Sequence, residues 1–208
     1  MKKKILLLSM ACVFVFFGQA AISAPLIYID LDGNSLTAET NWSVNLGDTF
    51  SADIYASDFT DTMGSGHMGL IGFGLDATYD PSIVTVNSAD AAMPWTPLLV
   101  SLGTPGIVSM GGLYLAIPPS LGLSTDTPLL LGTISFSSIA EGTMGLALAD
   151  RMVIENVALD GFVFDQLIEF RGAQITANAV PIPTTGLLLG SALAVLIGLP
   201  ASRKRRIV

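Results

Sequence analysis

The chain has 208 residues, a formal net charge of −8 and 51% hydrophobic content, with a mean hydropathy of +0.65. All 17 acidic residues lie between Asp30 and Glu169, and Arg151 and Arg171 are the only Lys or Arg between Lys4 and Arg203, so the middle of the chain sets two positive charges against 17 negative ones and carries −15. A field of that sign repels phosphate backbones and anionic lipid, which excludes nucleic acid as a partner of this segment.

Residues 1–23 read as a secretory signal: basic Lys2, Lys3 and Lys4, an apolar run from Ile5 to Phe17, then small residues from Gly18 onward. Cleavage fits after Ala20 or Ser23. The alternative is an uncleaved anchor, for which the apolar run is short. Cys12, the only cysteine, lies inside that run, so the mature chain has neither a disulfide nor a thiol nucleophile. The expected route is the general secretory pathway.

Residues 24–178 read as one β domain, because short alternating runs recur between Gly, Pro, Asn, Asp and Ser clusters. The spacing predicts strands over 26–30, 50–57, 70–80, 82–86, 98–101, 108–115, 129–137, 144–148, 152–154, 161–164 and 168–177. In the second of these, Phe50, Ala52, Ile54 and Ala56 share one face; in the third, Phe73, Leu75 and Ala77 do. Turn pairs such as Gly47-Asp48, Asp80-Pro81 and Glu141-Gly142 separate the runs. Many short strands at this spacing predict a sandwich or jelly roll.

Within that domain the sequence offers little catalytic chemistry. Gly64-Ser65-Gly66-His67-Met68-Gly69 matches a dinucleotide fingerprint, but a strand pattern follows where a helix N-terminus is needed. His67 is the only histidine, which leaves no base for a serine triad and too few ligands for an ordinary zinc site. The chain is therefore expected to be non-enzymatic and to use no cofactor. Calcium is the open question: Asp30, Asp32 and Asn34 set hard oxygens around a turn, with Glu39 further on, although the full twelve-residue loop is missing. The alternative is a solvated turn, and the later series Asp150, Glu155, Asp160 and Asp165 reads the same way. Trp95, between Pro94 and Pro97, is a candidate ligand contact that could stack on a sugar ring; the alternative is a cap on the sandwich edge.

The stretches VNLGDTFSADIYAS (44–57), LIGFGLDATYDPSIVTVNS (70–88) and LLLGTISFSSIAEGTMGLAL (129–148) resemble the cohesin-like β-sandwich domain. The resemblance implies a nine-strand all-β jelly roll that binds a dockerin-like module or a polysaccharide. It carries over no binding residues, because the matched positions are scaffold.

The end of the chain, 179–208, resembles the PEP-CTERM sorting signal. A Pro motif, Val180-Pro181-Ile182-Pro183, precedes a short Leu- and Gly-rich transmembrane helix and the basic cluster Arg203, Lys204, Arg205 and Arg206. Ile182 and Thr184 depart from the commonest form, which has Glu and Ala there. Residues 184–199 would span about 24 Å as a helix, less than the roughly 30 Å hydrocarbon layer. The basic cluster would hold the segment with the acidic domain outside. The resemblance implies transient retention in the inner membrane, processing by an exosortase, and a surface or extracellular role with exopolysaccharide. The alternative is a permanent single-span anchor.

Overall fold

The computed structural model describes residues 24–34, 38–59, 69–115, 127–151, 156–158, 167–180, 188–189 and 191–193. The signal segment, His67, Pro181 to Pro183, the basic cluster, and the strands expected at 152–154 and 161–164 lie outside the described residues. Glu155, Asp160 and Asp165 do as well.

Among the described residues twelve strands form, where the resemblance implies nine: β1 (Leu26–Asp30), β2 (Asn41–Asn45), β3 (Thr49–Ser57), β4 (Leu70–Thr78), β5 (Val84–Ala91), β6 (Thr96–Thr104), β7 (Ile107–Leu113), β8 (Leu129–Ser138), β9 (Gly142–Asp150), β10 (Val157–Ala158), β11 (Glu169–Arg171) and β12 (Ala173–Asn178). They make two sheets. The five-stranded one runs β11-β1-β3-β8-β5; the seven-stranded one runs β2-β12-β9-β4-β7-β6, with β10 against β4.

Period-2 patterning explains the layering, because a strand with one apolar face must bury it against another sheet. Phe50, Ala52, Ile54 and Ala56 of β3 face inward, in register with Phe136 and Ile134 of β8 on one side and Ile29 and Ile27 of β1 on the other. Phe50 and Phe136 stack with centroids 5.3 Å apart. From the other sheet come Phe73, Leu75 and Ala77 of β4, Met110 of β7, Met144 and Leu146 of β9, and Ile175 of β12, all buried. These aromatic and branched side chains fill one continuous core.

The two sheets are mostly antiparallel, but β1 pairs with β11 and β2 with β12 in parallel. The stretch 168–177, expected as a single strand, is β11 and β12 in different sheets. Gly172 is the corner: a Cβ there would sit 2.3 Å from the Leu146 carbonyl oxygen, so only glycine lets the chain pass that close.

Within the expected membrane segment, residues 188–189 and 191–193 are helical, and Leu188, Leu189 and Leu193 are exposed. Among the described residues, no helix is long and apolar enough to cross a membrane.

Candidate functional site

Three places on the sandwich bring polar chemistry together. The first is the end of β1. A carboxylate two or three residues ahead of backbone N–H groups closes an Asx turn, and Asp30 does so: its Oδ1 accepts from the N–H groups of Asp32 at 3.0 Å and Gly33 at 2.9 Å. Glu39 returns to the same spot, where its Oε2 accepts from the Leu31 N–H at 2.7 Å and its own N–H donates to the Ile29 carbonyl at 3.1 Å. Carboxylate oxygens of Asp30, Asp32 and Glu39 then lie within 4.8 Å of one another.

Asp30 is 1% exposed. Burial, followed by nearby Asp30 and Asp32, pushes the Glu39 carboxyl above its usual range, against the Leu31 N–H that pulls it down. Hard oxygens at this spacing would supply part of the shell that calcium takes. Of the residues expected from the sequence, Asp30 and Asp32 stand here with Glu39, and Asn34 stands beside them with its Nδ2 donating to Asp32 at 2.5 Å.

The second place is the outward face of the seven-stranded sheet. Asp76 of β4 lies in register with Ala149 of β9 and Ser109 of β7, which is paired in turn with Ser101 of β6. Arg151, just past β9, donates through Nη1 to Asp76 Oδ1 at 2.7 Å and to Ser109 Oγ at 2.5 Å. Beside this pair the exposed outward positions are small: Thr78 on β4, and Thr143, Gly145, Ala147 and Ala149 on β9. At Gly145 the space beyond the backbone is open. Sequence reading missed Arg151, which carries no motif; its being one of two cations in an acidic domain was the available signal.

The third place is a cleft of about 430 Å³ on the five-stranded sheet, lined by Tyr28, Ser57, Asp58, Arg171 and apolar Leu26, Ala38 and Pro128.

Trp95 belongs to none of these and corrects an expectation. It is 4% exposed, packs edge-on to Phe73 at 5.0 Å and donates its indole N–H to the Leu130 carbonyl at 3.0 Å. A ring so enclosed offers no face to a sugar; it closes the sandwich end. Of the sorting motif only Val180 is described, and it is exposed.

No family model matches the chain, and no curated protein matches it. Solved structures do. A cohesin module of a family 33 glycoside hydrolase from Clostridium perfringens superposes with a TM-score of 0.54 at 14% identity, over 76% of this chain and 99% of that one. A cohesin from Acetivibrio cellulolyticus, solved in complex with a dockerin, gives 0.51 at 15%, over 74% and 99%. A non-cellulosomal cohesin from the archaeon Archaeoglobus fulgidus gives 0.51 at 10%, over 80% and 98%. The fold is therefore the cohesin-like jelly-roll sandwich; identities this low speak to fold alone.

Proposed function

We propose that the protein is an exported, non-catalytic binding module that presents the outward face of its seven-stranded sheet to a partner protein. The observation that carries this reading is the exposed patch of Thr78, Thr143, Gly145, Ala147 and Ala149 beside the Arg151–Asp76 pair. A single oriented guanidinium among small uncharged side chains is the make-up of an interface centre, where Arg is enriched and large mobile side chains are few. The likeness to cohesins solved with dockerins supports a dockerin-like partner.

In this reading the N-terminal signal directs export, and the tail from Val180 holds the protein at the inner membrane until an exosortase-type enzyme removes it. The module then works at the cell surface, in company with exopolysaccharide.

A panel of dockerin-type modules tests the binding face by surface plasmon resonance. At least one is expected to bind, and Ala147→Arg to weaken that binding about tenfold or more, since it sets a long charged side chain on the patch. A bound module indifferent to Ala147→Arg would move the interface elsewhere. Intact mass from the native host tests sorting: a C-terminus near residues 180–185 supports it, and an intact Val208 in the membrane fraction counts against it.

A further inference from the structure

We propose that the flank of the sandwich formed by strand β6 binds a second copy of this chain, in a two-fold contact centred on Val100. The inference rests neither on the partner-binding face nor on the sorting route proposed above.

β6 is the last strand of the seven-stranded sheet, and its outer edge pairs with no strand among the described residues. Side chains alternate across a strand, so a residue opposite a core residue lies on the core side of the sheet. Val100 is in register with Met110, which is fully buried, yet Val100 is 37% exposed. The core is therefore open to water along this flank. Leu98 and Leu102, on either side of Val100, are 54% and 45% exposed, and Met93, just before the strand, is 92% exposed. Single exposed apolar residues are ordinary, but a row of them on a free strand edge marks a surface for association.

Charge selects the occupant. The middle of the chain carries −15, so two copies repel one another on most approaches. From Ala91 to Thr125, however, the sequence has no charged residue, and that stretch holds all of β6 and β7. Asp90, the nearest carboxylate before it, is on β5 in the other sheet, in register with Thr133. A basic partner drawn by the acidic field finds nothing to pair with on β6, whereas a second copy meets no like charge there.

The order of the residues fits the same occupant. In a two-fold contact residue i meets j and j meets i. With two β6 strands antiparallel about Val100, Leu98 of one copy meets Leu102 of the other, and Val100 meets its own counterpart. Pro97 has no N–H, and register shifts between Pro97 and Leu99 and between Ser101 and Thr104 interrupt the ladder, so side chains rather than a continuous run of main-chain bonds join the copies. So few side chains make an interface below the standard size, and the dimer forms in proportion to concentration.

Photo-cross-linking of the full chain tests this at physiological salt, with Cys12→Ser removing the native thiol and Leu98→Cys carrying a benzophenone maleimide. The expected product has twice the mass, increases with protein concentration, and maps to the neighbourhood of Leu102 in the other copy. The same label at Ser51→Cys, exposed on β3 in the other sheet, is expected to give about tenfold less. Leu102→Lys, at a position already half exposed, is expected to keep the melting temperature and lower the Leu98→Cys yield about tenfold. Equal yields from the two labelled positions, or a yield indifferent to Leu102→Lys, would place self-association elsewhere and overturn the β6 contact. A product of another mass, or label found on lipid alone, would overturn the second copy as occupant. No product at any concentration up to about 1 mM would overturn the contact itself, since that is the weak end of measurable association.

Discussion

Asn156 bonds both backbone groups of Gly74: its Oδ1 accepts from the Gly74 N–H at 3.2 Å, and its Nδ2 donates to the Gly74 carbonyl at 3.3 Å. The pair sits where β4 changes partner, between the stretch that pairs with β9 and the stretch that pairs with β10. A buried side-chain amide thereby replaces a missing rung of the ladder, and the same Nδ2 lies 3.0 Å from Asp150 Oδ1.

Asn156→Ala therefore leaves the buried Gly74 N–H short of its partner, while the carbonyl keeps the Arg151 N–H at 3.4 Å. The orphaned group costs about 1–3 kcal/mol, and the melting temperature is expected to fall by roughly 3–8 °C. Calorimetry checks it; a shift under a degree would mean that water or a neighbour takes over the rung.

Trp95→Ala empties a large buried site against Phe73 and Tyr114, at an expected cost of about 3–5 kcal/mol. Trp95→Phe keeps most of the packing but loses the bond to Leu130, and should cost less. Denaturant melts of the two variants rank them, and an undiminished midpoint for the alanine variant would contradict the core role.

Gly172→Ala drives a Cβ against the Leu146 carbonyl, a backbone atom that cannot step aside. The expected loss is about 1–3 kcal/mol, with faster amide exchange in β12 than in β3. Uniform exchange in both strands would argue that the corner adapts.

The carboxylate cluster predicts a pH signature. Glu39 is held above its usual range in the folded state, so it binds its proton more tightly folded than unfolded. The linked stability is complete below the unfolded value of ~4.3 and lost as pH rises through the folded one. Glu39→Gln should then raise the melting temperature at pH 7 and leave it unchanged near pH 4. Calcium should raise it for the parent at pH 7, and less for Glu39→Gln, which removes one carboxylate from the cluster. Identical melting curves with and without calcium at pH 7 would dispose of the cation.

The cores of β3 and β4 were legible because Phe50, Ala52, Ile54 and Ala56, and Phe73, Leu75 and Ala77, fall at every second position, and period 2 decides both element and buried face. β2 was not legible: in Asn41-Trp42-Ser43-Val44-Asn45 only two positions are apolar, and β12 supplies the pairing. Asp30 and Asp32 could be read from a local turn, whereas Glu39 joins them through a chain reversal that spacing does not encode. For Trp95 the sequence leaves display and an edge cap both open, because the enclosing Phe73, Tyr114 and Leu130 are distant in sequence.

The parallel pairings of β1 with β11 and β2 with β12 join the two ends of the domain. A chain emerging N-terminus first, whether from a ribosome or through a translocation pore, exposes β2 long before β12, its strand partner among the described residues, exists. The seven-stranded sheet closes at that edge only after Asn178 has emerged, two residues before the proline motif begins. Any truncation upstream of β12 strips β2 of its neighbour and bares the edge of β9, so integrity of the last strand acts as a completeness check on the finished chain.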